Sequence, residues 1–341
     1  MQPNKKNDPL LPAYKKIKRF INYFLGPLLF VGISYSIYRQ LAVQPQLGSH
    51  WQHIKEVFAD NGKGFLGMAL VLMFVNWGLE SKKWQILTSH VQPTSLWTAT
   101  KSVMAGVSFT MLTPNRMGEF LGRVLYLPDG SRVRAATLML LSSISQLVIT
   151  LCCGVAGIYL LKQWAPQLDS ETEGWTWWLV NALLYGSSIF ILLGLLIYFN
   201  IGWLIRQVER FPPFSQYAYY VHIIGEIHYL ELLKLLGLSA IRYFVFLSQY
   251  ALVFRFFEVG IPLYPLIACT MVMFLMLAIV PTIALAELGI RGQVSLFVFG
   301  LFSPNSLEIL VAAAAIWFIN IIFPAVAGSF MLLTVKLFRK T

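Results

Sequence analysis

The sequence predicts an all-α polytopic membrane protein, built as an inverted repeat of span, span, re-entrant hairpin and span. That gives six full spans plus two re-entrant hairpins. Three observations predict it. The chain of 341 residues is 57% hydrophobic and only 12% charged, where soluble domains carry about 25% charged residues. Six of its apolar segments are long enough for a bilayer core about 30 Å thick, which takes roughly 20 apolar residues in a helix. A short charged pattern also occurs twice inside apolar sequence: Thr113-Pro114-Asn115-Arg116-Met117-Gly118-Glu119-Phe120-Leu121-Gly122-Arg123, and Pro281-Thr282-Ile283-Ala284-Leu285-Ala286-Glu287-Leu288-Gly289-Ile290-Arg291.

The elements follow in order. The first span covers about 20–39, after a tail holding Lys15, Lys16, Lys18 and Arg19. It lacks the short apolar segment and small-residue cleavage site of a signal peptide, so it is expected to be retained. The second span covers about 64–80. The first hairpin covers 98–112 plus 117–127; each arm is too short to cross comfortably, and a proline stands between them. Proline lacks the amide hydrogen that a continuing helix needs. Spans at 136–161 and 177–199 come next. Segment 200–237 mixes Arg206, Glu209, Arg210, Glu226, Glu231 and Lys234 with Trp203, Tyr217, Tyr219 and Tyr229. It reads as amphipathic helix lying on the cytoplasmic face. A span at 238–259, the second hairpin at 265–281 plus 286–301, and a span at 307–335 complete the chain.

The expected organisation is a single membrane domain over 1–341. Its first half-repeat is 1–161. The second begins at 162–199 and resumes at 238–341 beyond the amphipathic segment 200–237. With the N-terminus in the cytoplasm, 19 of the 26 lysines and arginines fall inside, five outside and two in the hairpins. This agrees with the positive-inside rule and puts both termini on the cytoplasmic side of the cytoplasmic (inner) membrane. The two halves then have opposite orientation, and the hairpins enter from opposite leaflets.

The net charge of +11 does not indicate nucleic acid as a partner, because the bases sit at the edges of apolar runs beside lipid headgroups. Cys152, Cys153 and Cys269 lie within apolar runs and form no disulfide framework. His50 and His53 have no carboxylate to complete a metal set. No P-loop, H-E-x-x-H, G-x-S-x-G or G-x-G-x-x-G element occurs, so neither cofactor nor metal is expected and no catalytic residue is assigned.

The two motifs carry the functional expectation. In each, a Glu precedes an Arg by four residues, which places both on one helix face. Charges at bilayer depth cost roughly 2.5–3.5 kcal/mol each on insertion scales, so they are seldom kept without a use. No charge occurs from Gly260 to Ala286, and none between Arg291 and Glu308. The substrate-binding or gating candidates are Arg116, Glu119, Arg123, Glu287 and Arg291. The helix-break residues are Pro114, Asn115, Gly118, Pro281, Thr282 and Gly289. Arg116 at a helix N-terminus suits a phosphate, and Gly118 with Gly122 allows close helix approach. The alternatives are an interfacial loop with solvated charges at the first motif and a structural ion pair at the second. Glu80, Lys82 and Lys83 read as an inner-face anchor. Arg242, Arg255 and Glu258 read as anchors of the sixth span.

The phrase from Leu112 to Arg123 resembles the first motif of the lysylphosphatidylglycerol synthase transmembrane (flippase-like) family, and Pro281 to Arg291 resembles its second. The likeness spans nearly the whole chain. It implies a stand-alone membrane domain without the synthase domain, and a membrane lipid as partner, either a phospholipid or a polyprenyl or glycosyl lipid. Best-understood members move an aminoacylated phospholipid between leaflets. This chain departs from many members in having Gly292 directly after the motif arginine, where they have Glu. The expected function is a lipid translocator moving an anionic or modified lipid between leaflets of the cytoplasmic membrane. A membrane enzyme acting on a lipid headgroup, or a non-transporting accessory factor of envelope lipid or glycan synthesis, are the alternatives; homo-oligomerisation is left open.

Overall fold

The computed structural model describes residues 63–112, 117–128, 131–164, 175–209, 222–280 and 284–332, together with residues 35, 56 and 57. The expected first span at 20–39 and the motif residues Pro114, Asn115, Arg116, Pro281 and Thr282 lie outside the described residues. Regular structure among the described residues is helical throughout. The helices are α1 (Lys63–Thr88), α2 (Leu96–Leu112), α3 (Met117–Val124), α4 (Arg132–Trp164), α5 (Trp175–Phe199) and α6 (Ile201–Glu209). They continue as α7 (Tyr229–Phe256), α8 (Leu263–Ile279), α9 (Ala284–Phe299), α10 (Ser306–Trp317) and α11 (Phe323–Leu332). A π-helical turn, Phe318–Ile322, joins α10 to α11.

Among the described residues, four helical stretches are long and apolar enough to cross a membrane: Gly64–Thr88, Arg132–Gln163, Val180–Phe199 and Ser306–Leu332. On α5, Ile189, Phe190, Leu192, Leu193 and Leu196 are exposed. A helix apolar on every side that packs on α4 along one side and leaves these residues uncovered suits hydrocarbon rather than water. The stretch expected at 238–259 is not among the four. Its helix, α7, is long, but it carries Arg242 at mid-length and starts at Tyr229, inside the segment read as interfacial. His228 caps that start, its Nδ1 accepting from the Leu230 amide at 3.4 Å.

Around the two motifs α2 is described to Leu112 and α3 from Met117, α8 to Ile279 and α9 from Ala284; Gly118 and Gly289, expected as helix-break residues, instead lie within α3 and α9, where the backbone is regular helix. Each pair folds back as a helical hairpin. In the first, Gly122 lies against Ala105 and Gly106, and an added Cβ there would sit 2.5 Å from the Ala105 carbonyl oxygen. In the second, Cys269 Sγ lies 3.5 Å from the Val298 carbonyl and Ser295 Oγ lies 3.4 Å from Met273 Sδ.

The hairpins pack on helices from the other end of the chain. Helix α2 lies antiparallel to α11: Ser108 Oγ donates to the Ala325 carbonyl at 2.6 Å, and Gly328 abuts the Met104 carbonyl. Helix α8 lies antiparallel to α4, with Gly154 against Leu275 and Gly157 against Met271. Small residues at these crossings let backbones approach closely, as membrane helices require in the absence of a hydrophobic drive between them. Between these layers α1 and α7 run antiparallel, with Gln249 Nε2 donating to the Ala69 carbonyl at 2.8 Å. Hydroxyls along the helices turn back on their own carbonyls, as with Thr110 to Gly106 and Thr150 to Gln146 at 2.9 Å. These hydroxyls are thereby satisfied without water.

Candidate functional site

Site geometry begins on α1. Glu80 is 4% exposed and Lys83 is fully buried, so neither is the inner-face anchor that the sequence suggested. Glu80 lies at the crossing of α1 with α3 and α7, and one carboxylate meets three cations there. Its Oε1 accepts from Arg123 Nη2 at 2.8 Å, and its Oε2 accepts from Arg242 Nη1 at 2.8 Å. Lys83 Nζ stands 3.7 Å from Oε2. Lys83 Nζ also reaches the Ser142 carbonyl at 3.4 Å. Arg123 completes the expected pair with Glu119 one turn earlier on α3.

The bland reading of Arg123 as a solvated cytoplasmic charge is overturned, because it is 2% exposed. Packing explains why. Gly122 brings α3 against α2, Ser102 on α2 donates to the Arg123 carbonyl, and Trp84 Nε1 donates to Ser102 Oγ at 2.8 Å. The Arg123 guanidinium stands 5.6 Å from the Trp84 ring centroid, within cation–π range. Arg242, also read as an anchor, is instead held by Glu80, by Asn76 Oδ1 at 2.7 Å, and between the Trp77 and Phe246 rings at 5.5 Å each. Asn76 in turn donates to Asn320 Oδ1 at 3.4 Å. Asn320 sits in the π-helical turn, where the extra residue re-aims side chains; such turns frequently occur at functional sites.

The second motif supplies Glu287 and Arg291 on α9. Glu287 is 5% exposed, and Arg291 Nη2 reaches its Oε1 at 3.4 Å. Arg291 Nη1 donates to Tyr250 OH on α7 at 3.0 Å. Gly289 is buried between the two charges, and Gly118 is buried beside Glu119. Both expected pairs therefore form, each tied to one of the central helices: Arg123 to α1 and Arg291 to α7.

One cavity of about 490 Å³ joins them. It is lined by Glu119 and Arg123 from the first hairpin, by Arg291 from the second, and by Glu80, Lys83 and Arg242 from the central helices. Trp77, Gln146, Tyr250, Trp317 and Asn320 also line it. Among the described residues no group of three or more His, Cys, Asp or Glu could hold a metal ion. What the arrangement offers is a polar chamber with converging guanidinium groups inside an apolar helical body.

Sequence reading missed Glu80, Lys83, Arg242, Asn76, Tyr250 and Asn320 as parts of this site. A usable signal existed for two of them. Asn320 is the sole polar residue in the run from Ile309 to Phe323, and Asn76 interrupts the apolar run before Trp77.

Buried charges and helices with exposed apolar faces define the class: this is an integral membrane protein with a partly open, charge-lined cavity. The chain belongs to the family described as Lysylphosphatidylglycerol synthase TM region, whose sequence model matches residues 25–328. This is a membrane-domain family associated with lipid-related function. No match was found among curated proteins or among solved structures.

Proposed function

We propose that the protein is a non-enzymatic lipid translocator of the cytoplasmic membrane, with cytoplasmic termini. A lipid headgroup crosses through the charged cavity while its acyl chains stay in the bilayer. The single observation that carries this reading is that Glu119 and Arg123 of the first hairpin and Arg291 of the second line one chamber. The reading takes the chain as an inverted repeat of span, span, re-entrant hairpin and span, with the hairpins entering from opposite leaflets. Support for the repeat comes from the exchanged packing, α2 on α11 and α8 on α4, about an antiparallel α1–α7 pair. Transporters of that design place their substrate site where the repeats meet.

In the mechanism, the headgroup displaces part of the internal pairing. Glu80, Glu119 and Glu287 hold the guanidinium groups when no substrate is bound. They release them toward a headgroup that enters, so each guanidinium that leaves its carboxylate gains a new anionic partner. Arg291→Gln and Glu287→Gln, in purified protein reconstituted into liposomes, are expected to reduce leaflet exchange of a fluorescent lipid to the protein-free rate. Each change leaves one buried partner uncompensated, so both single variants are also expected to unfold at lower temperature, whereas the double variant, Arg291→Gln with Glu287→Gln, is expected to recover stability without recovering exchange. Exchange at the wild-type rate in both variants would contradict the reading.

A further inference from the structure

The cavity's charge and its unpaired donors specify what kind of headgroup it takes. Four cations line it, Lys83, Arg123, Arg242 and Arg291, against two carboxylates, Glu80 and Glu119. Counting Glu287, which pairs with Arg291, one positive charge is still in excess. Four residues of the lining each hold a buried donor that meets no acceptor among the described residues: Trp77 Nε1, Arg123 Nε, Arg291 Nε and Trp317 Nε1. Arg123 is 2% exposed, so its free Nε–H is a desolvated donor on a charged group. Leaving such donors unsatisfied costs about as much as a lost hydrogen bond each, more where the group is charged. Lys83, with three N–H donors, has two loose contacts, at 3.4 and 3.7 Å. One unpaired acceptor, Gln146 Oε1, belongs to the same lining.

We infer that the cavity binds a phosphate-bearing lipid headgroup of net negative charge and discriminates against one whose amine makes it net positive. A phosphate offers several acceptor oxygens to donors that the protein itself leaves bare, and its charge removes the excess. Guanidinium groups match its geometry in bidentate fashion. An added ammonium would bring a second positive charge beside Arg123, Arg242 and Lys83. This inference rests on the cavity being the headgroup chamber, and it names the substrate class for that chamber.

The test measures equilibrium binding to the purified full chain in detergent by calorimetry. The probes are short-chain phosphatidylglycerol, its lysyl ester, phosphatidylcholine, a prenyl monophosphate and inorganic phosphate. The expected result is binding of phosphatidylglycerol or the prenyl monophosphate at least about ten-fold tighter than of phosphatidylcholine or the lysyl ester. Which of the two binds tells a glycerolipid from a polyprenyl source. Inorganic phosphate binding as tightly as either lipid would overturn the lipid assignment in favour of a free-phosphate site.

Trp317→Phe keeps a ring but removes a donor that bonds nothing in the protein, so it leaves the fold unharmed. It is expected to weaken phosphate-lipid binding by roughly ten-fold. Equal affinity for the lysyl ester, or no effect of Trp317→Phe on any probe, would overturn the inference. Charge-selective binding without leaflet exchange would sink the translocator reading and leave the headgroup assignment standing. Exchange that is indifferent to headgroup charge would do the reverse.

Discussion

Replacing Glu80 with Gln is expected to destabilise the protein by about 3–5 kcal/mol and to abolish leaflet exchange. The magnitude is that of breaking a buried ion pair from one side. Here the removed carboxylate faces three cations rather than one: Arg123 and Arg242 at 2.8 Å and Lys83 at 3.7 Å. Glu119 can compensate only Arg123, because among the described residues Arg242 has no other carboxylate partner. The neutral amide offers one acceptor in place of two charged oxygens, so at least one guanidinium is left without compensation. Thermal unfolding in detergent reads the effect. A double variant, Glu80→Gln with Arg242→Gln, is expected to recover part of the loss, since it removes one stranded charge together with its partner. That recovery is the coupling signature of groups in one network. A Glu80→Gln protein as stable as wild type would mean that the cluster is solvated.

The second large effect is at Gly122. A glycine in mid-helix usually gains about 1 kcal/mol when changed to alanine. Here the sign reverses. The new Cβ would stand 2.5 Å from the Ala105 carbonyl oxygen and 2.6 Å from backbone atoms of Gly106. Both are backbone atoms of α2, so no side-chain rotation relieves the clash. Overpacking of this kind costs about 1–3 kcal/mol, enough to exceed the propensity gain. Gly122→Ala is therefore expected to lower stability, and Gly122→Leu to splay the first hairpin. Because Arg123 is the next residue, splaying also withdraws it from Glu80, so exchange is lost with Gly122→Leu. Unfolding midpoints of the three proteins, ordered wild type, Ala, Leu, check this; a stabilising Gly122→Ala would show that α2 and α3 are not in close contact.

Why some of this was legible in the sequence and some was not is a matter of range. That each motif carries its charges on a new helix was legible because proline and a four-residue Glu–Arg spacing act within one turn, whereas Gly118 and Gly289 were misread as breaks because glycine inside a helix also serves close packing. The pairs Glu119–Arg123 and Glu287–Arg291 follow from the same local periodicity. Glu80, Lys83 and Arg242 were misread as anchors because charge near the end of an apolar run is ordinarily interfacial. Their burial depends on helices far apart in sequence. Arg242 reaches Glu80 across the α1–α7 contact, and Arg123 reaches it only because Gly122 seats α3 on α2. Span counting met the same limit at α7, whose mid-helix arginine lowers its apolarity but is neutralised by a carboxylate on another helix. The chamber itself, assembled from the two hairpins and the central helices, had no local signature beyond lone polar residues such as Asn320.

The most direct measurement of the central idea, a single chamber through which headgroups pass, is reversible blockage from within. Ser143 lines the chamber and is exposed, and its hydroxyl bonds only its own helix, at Met139. A Ser143→Cys protein in which Cys152, Cys153 and Cys269 are replaced can be reconstituted and labelled with a bulky disulfide reagent. Leaflet exchange should fall to the protein-free rate on labelling and return on reduction. Undiminished exchange with the chamber fully labelled would contradict the account.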